Sequence, residues 1–244
     1  MFNDLILYHL LHKRQVLNKI ELIRKTDLIR RDMARIDDFK QAKELSKTEL
    51  LKFDPEYIAR YAGVKIIKED DKIKAFNLIF LNRKINISWP DMDFSYETGN
   101  GEISIQQQAF LLHYLNGACS SKCTEMSGEW VSYQDIPDGR FYMDAFIKRA
   151  KEPLIKTFGF MAKKMVEIAS KAYNAEPLDL GDFSVKVNAL PTVPVALLIW
   201  EGDEEFPPDG NLLFDKTISN VLSAEDIATL AGMVVYPMIG MAYK

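Results

Sequence analysis

The segment Trp200-Glu201-Gly202-Asp203-Glu204-Glu205-Phe206-Pro207-Pro208 carries an apolar run straight into four carboxylates. Adjacent acids repel one another, so such a cluster costs stability unless solvent or a positive ligand offsets it. Hard cations take oxygen ligands of this sort, and paired carboxylates serve general acid–base chemistry. Glu201, Asp203, Glu204 and Glu205 are therefore candidate metal ligands. Asp215, after Leu212-Leu213-Phe214, and the Glu225-Asp226 pair join the same face if the intervening strands pair suitably. The spacing matches no EF-hand loop, and plain solvated loop carboxylates are the alternative.

Two further sets of residues could do chemistry. His113, Cys119 and Cys123 lie close together in the chain, and imidazole and thiolate bind zinc or an iron–sulfur centre. Glu125 could supply a fourth ligand; the alternative is two partly exposed loop thiols and a helix histidine. Trp130 and Tyr133 are followed by Arg140, Tyr142, Lys148 and Arg149. Aromatics interleaved with cations hold planar anionic ligands or phosphate, so these residues, with Trp200, form a candidate cofactor-binding set. The alternative is a group of amphipathic side chains covering the core. His9 and His12, three apart, could face one metal but have no third ligand nearby.

The familiar catalytic signatures are missing. The chain holds no G-x-G-x-x-G fingerprint, no phosphate-binding G-x-x-x-x-G-K-[ST], no G-x-S-x-G elbow and no H-E-x-x-H pair. Any Ser-His-Asp arrangement must use His9, His12 or His113.

The elements that must position these groups follow from pattern. A length of 244 residues suits one large domain or two small ones. The net charge of -4 argues against nucleic acid as the main partner, because that affinity rests on neutralising phosphates. No run of 18 apolar residues predicts a membrane span, and the N-terminus shows no secretory cleavage site. Two cysteines suit a reducing, cytoplasmic setting. Charge is uneven: residues 1–36 carry +4, and residues 176–226 carry -9.

Residues 2–51 contain neither Pro nor Gly and read as one or two helices, with Leu10, Leu17, Ile20 and Ile23 as a stripe. Asp54-Pro55 opens a short helix that Gly63 closes. Val64–Ile67, Lys74–Leu81 and Lys84–Trp89 read as strands, the last two joined by a turn at 81–84. Ser104 starts a helix that Gly117 is expected to end, and Glu129–Tyr133 is a short strand. Pro153 is expected to open a long helix through about Ala172. Gly181–Leu190 and the unbroken apolar run Pro194–Trp200 read as strands, the second buried on both faces. Ser223 and Asp226 resemble a capping box at the start of the last helix. Because strands do not alternate strictly with helices, the expected class is α+β: an antiparallel or mixed sheet packed with several helices.

Several phrases also resemble a known family. Leu-Leu-His-Tyr-Leu at 111–115, Gly-Glu-Trp-Val-Ser-Tyr at 128–133, Gly-Arg-Phe-Tyr at 139–142, Phe-Ile-Lys-Arg-Ala at 146–150 and Leu-Pro-Thr-Val-Pro at 190–194 carry the likeness. So do Leu-Ile-Trp-Glu-Gly-Asp-Glu-Glu-Phe-Pro at 198–207, Leu213-Phe-Asp215 and Leu222-Ser-Ala-Glu-Asp226. Spanning roughly 35–240, they resemble the family catalogued as domain of unknown function 3786, found mainly in anaerobic bacteria and archaea. In that family the domain is often joined to an iron–sulfur module like the one on corrinoid iron–sulfur proteins, which this chain lacks. The resemblance implies a setting in anaerobic one-carbon, corrinoid or iron–sulfur metabolism and implies no reaction.

Three functions are weighed on this basis. One is a binding module that holds a corrinoid or other tetrapyrrole, or docks on a cofactor-bearing protein, with the acidic loop as its working surface. Another is an enzyme dependent on a divalent cation held by residues 201–205 and Asp215. The third is a structural interaction domain. Residues 1–34 are expected to form a helical extension that packs on its own body or builds a homo-oligomer, and residues 35–244 a single α+β domain.

Overall fold

Asp54 accepts hydrogen bonds from the Glu56 and Tyr57 amides and so starts helix α2 (Pro55–Ala62), with Pro55 at its first turn and Gly63 at its end. The computed structural model describes residues 35–122 and 124–244. The expectations placed on residues 1–34 (the stripe, His9 and His12, the extension) and on Cys123 lie outside the described residues. Helix α1 covers 35–50 and buries Leu50.

Strands β1 (Lys65–Glu69), β2 (Lys72–Phe80), β3 (Arg83–Ser88) and β4 (Phe94–Tyr96) form an antiparallel four-stranded sheet in that order. The β1–β2 pairing is interrupted by a bulge at Ile67/Lys68. The β2–β3 turn is tighter than expected: Phe80 pairs with Arg83, and only Leu81 and Asn82, both at positive φ, lie between. Leu81 at such a φ carries a steric cost. It is offset because Leu81 is buried and its amide donates to the Ala189 carbonyl of the second sheet at 2.9 Å.

Ser104 and Gln107 form a reciprocal capping box that starts α3 (Ile105–Ser121). Contrary to expectation, Gly117 lies inside this helix. A β-carbon there would stand 1.9 Å from the Val221 carbonyl oxygen, so the glycine permits close approach of α7 (Ile218–Val221). After β5 (Trp130–Ser132), α4 (Met143–Phe146) widens into a π turn over Ile147–Lys151 and continues as α5 (Glu152–Phe158). The helix begins well before Pro153. Proline has no amide to give the Arg149 carbonyl four residues back, and in the π turn the Glu152 amide reaches instead to the Ile147 carbonyl. The single long helix expected through Ala172 is broken at Gly159–Met161, and α6 (Ala162–Tyr173) follows.

The second sheet is also antiparallel, in the order β5-β9-β8-β7-β6. Its members are β6 (Glu176–Pro177), β7 (Phe183–Leu190), β8 (Val193–Trp200) and β9 (Asp209–Asp215). β8 is central and buried on both faces up to Ile199, as its apolar run requires. Helix α8 (Ala224–Ala242) packs on α5, α6 and the π turn, and Ser223 caps it by accepting from the Asp226 amide. One continuous core runs from Leu50 to Ala242. The fold is α+β, with two antiparallel sheets where one sheet was expected. No helix among the described residues is long and apolar enough to cross a membrane.

Candidate functional site

The acidic segment forms a local turn. Asp203 accepts from the Glu205 and Phe206 amides at 2.8 and 2.7 Å, and these bonds hold its carboxyl below the usual range. The Glu201 carboxylate accepts from the Ala162 amide at the start of α6, and its own amide donates to Asp182. Glu204 and Glu205 stand exposed. Trp200, which packs over Gly181, is 40% exposed at the strand end.

Asp215 does not join them. Trp200 pairs with Asp209 and Val195 with Phe214, so β8 and β9 run antiparallel and Asp215 sits at the far end of the pair. Six residues of strand separate the two ends, about 20 Å. There Asp215 is 3% exposed and accepts from the amides of Ser127, Gly128 and Thr217 and the hydroxyls of Ser127 and Thr217. Burial alone would raise its pKa, but these donors outweigh burial and hold it at about 2. Its role is to tie the loop before β5 to the end of β9.

The histidine–cysteine set is also separated. His113 and Cys119 lie six residues apart on α3, about 120° apart around the helix. Cys119 is buried, not on a loop, and burial pushes its thiol up to about 11. His113 Nδ1 lies 2.9 Å from Asp226 Oδ1, while the Ser223 hydroxyl donates to Asp226 Oδ2 at 2.7 Å. The carboxylate therefore stands between the serine and the histidine, and the imidazole has no access to the hydroxyl proton as nucleophile activation needs. Among the described residues, no three of His, Cys, Asp and Glu come together as a metal centre requires.

The His113–Asp226 contact staples α3 to the start of α8. Its hydrogen bond to Asp226 raises the His113 pKa above 6.5, against burial and with help from the charges of Asp226 and Glu225. A raised histidine pKa stabilises the fold below the unfolded value, and the gain is lost as pH rises through the folded one. The thermal midpoint should thus fall over that alkaline-going window, and His113→Gln should flatten this dependence. An unchanged slope in the variant would remove the staple from the account.

The aromatic and basic set divides as well. Trp130 pairs across from Asp215. Tyr133 is a core residue: its ring stacks on Phe146, its hydroxyl donates to the Ala224 carbonyl at 2.7 Å, and burial pushes its pKa up to about 12. Arg140, Tyr142 and Lys148 are exposed. Arg149 alone leads elsewhere. The π turn presents it beside α8, with the Arg149 backbone close to Gly232, and its guanidinium reaches Thr229 at 3.5 Å.

Arg149 lines a cleft of about 670 Å³ between the four-stranded sheet and the helices α3, α6 and α8, within the usual range for small-molecule sites. The β2–β3 hairpin supplies Phe80, Leu81 and Arg83, and β4 supplies Tyr96. The start of α3 contributes Ser104 and Gln106, and the end of α6 contributes Ala172 and Tyr173. Along α8, Met233, Tyr236, Pro237 and Met241 form an apolar wall. Arg83 lies over the Tyr96 ring at 3.3 Å, which fixes its orientation. Of the sequence-derived candidates only Arg149 is here. Arg83 and Tyr96 carried a weak signal, a cation beside a tight turn and an aromatic on a short strand.

No curated protein and no solved structure matches the chain. A family model described as domain of unknown function (DUF3786) matches residues 54–236. That span runs from the cap of α2 to Tyr236 in the cleft wall and takes in Arg83, Tyr96 and Arg149. The chain belongs to the DUF3786 family.

Proposed function

We propose that this chain is a binding module for a small organic ligand or cofactor, seated in the cleft between the β2–β3 hairpin and α8. The observation that carries the reading is a single concavity built from six separate elements, apolar along α8 and provided with polar groups by Arg83, Arg149, Ser104 and Gln106. Concave, mostly apolar sites with a few convergent polar groups are the usual form of ligand pockets. The working surface thereby moves from the acidic loop, whose Asp203 and Glu201 hold local structure, to this cleft. A tetrapyrrole, the cofactor class expected from the family resemblance, combines a planar apolar ring with polar arms and belongs among the ligands to test. A cytoplasmic setting accords with the low cysteine content.

The experiment is native mass spectrometry with a visible spectrum on protein purified under anaerobic conditions. A bound small molecule is expected in the parent and absent in Ala172→Trp, which fills the cleft, with the melting temperature of the variant within a few degrees of the parent. An adduct retained unchanged by the folded variant, or no adduct in the parent, overturns the reading.

A further inference from the structure

The charge of the cleft is one-sided. Arg83 and Arg149 come from different elements, 66 positions apart in the chain, yet both line this one cavity. Its lining contains no Asp or Glu among the described residues. Neither guanidinium lies in an ion pair with a described carboxylate, although exposed lysines such as Lys84 and Lys216 have found such partners. Arginine presents a planar fork of donors that matches carboxylate and phosphate oxygens. Each guanidinium is held in place, Arg83 by the Tyr96 ring and Arg149 by Thr229. Met233, Pro237 and Met241 of α8 line the same cleft and offer a surface that no charged group can satisfy.

We infer that the ligand of this cleft is an anionic amphiphile, with a carboxylate or phosphate held by Arg83 and Arg149 and an apolar body laid along α8. This rests on the cleft being the binding site and adds the chemical class of what enters it. Arg149 is half-buried, which lowers the local dielectric around it and strengthens its attraction for an anion beyond that of a surface ion pair, while Arg83 adds its charge from the exposed rim of the cleft. The apolar wall adds affinity in proportion to the chain or ring buried on it.

The test uses displacement of 1-anilinonaphthalene-8-sulfonate from the full chain, read by fluorescence. Its competitors are decanoate, decyl phosphate, decanol and inorganic phosphate. Decanoate or decyl phosphate should compete at least tenfold better than decanol, which has the same tail without charge, and better than inorganic phosphate, which has charge without a tail. The better of the two acids identifies the headgroup. Arg83→Gln and Arg149→Gln should each weaken the acids about tenfold and leave decanol unchanged. Equal competition by decanol and the acids overturns the anionic class while the cleft stands. Failure of Ala172→Trp to reduce probe binding overturns the cleft itself. Unchanged acid binding in both arginine variants refutes their role.

Discussion

Asp215→Ala is expected to cost roughly 3–5 kcal/mol of folding stability, enough to leave a marginal domain largely unfolded. Truncation leaves three backbone amides and two hydroxyls facing a hole they cannot satisfy, since Asp215 accepts from all five. The isosteric Asp215→Asn should also destabilise, because its amide group turns two hydrogens toward a ring of donors. A pKa of about 2, against 3.8 for a free aspartate, corresponds to about 2 kcal/mol of stability. For a depressed carboxyl that contribution is present above 3.8 and disappears as pH falls toward the folded value. Urea titrations at neutral pH and near pH 3 separate the two contributions. The asparagine variant should show a flatter acid limb. Wild-type stability in either variant would mean that Asp215 is a spectator, and its old candidacy as a ligand would return.

Gly117→Ala is the second large effect. In an exposed helix the same change would stabilise by about 0.5–1 kcal/mol. Here the added carbon would lie 1.9 Å from the Val221 carbonyl oxygen and 2.7 Å from its carbon. Both are backbone atoms, so no side chain can swing aside; α7 or α3 must shift. The expected cost is at least about 3 kcal/mol, seen as a lowered urea midpoint or as insoluble protein. An alanine variant with an unchanged midpoint would show that the two helices can part without penalty.

Local signals in the sequence translated well. The Asp54-Pro55 start, the Ser104 and Ser223 caps and the run of β8 each depend on a few neighbouring residues, and each appears where it was expected. The readings that failed depend on distant partners. Gly117 looks like a helix end until α7 is laid against it. Pro153 looks like a start because nothing in its neighbours announces a π turn. Asp215 reads as an ally of residues 201–205 until the register of β8 and β9 puts them at opposite ends. The cleft was hardest to foresee, because Arg83 and Arg149 meet only once a hairpin and a helix from different parts of the chain are packed together.

The sheet borders have a consequence for how this protein can meet others. The long strands β7, β8 and β9 are closed off by β6, with two residues including Pro177, and by β5, with three. In the smaller sheet, β4 spans three residues, and β1 is broken by a bulge and bears Lys65 and Lys68. Short, charged, bulged or proline-bearing borders deny an incoming strand the row of free amides and carbonyls it would need. Among the described residues, recognition by strand addition is thereby disfavoured at the borders these short strands cover, and so is its accidental equivalent, the lateral fusion that begins aggregation.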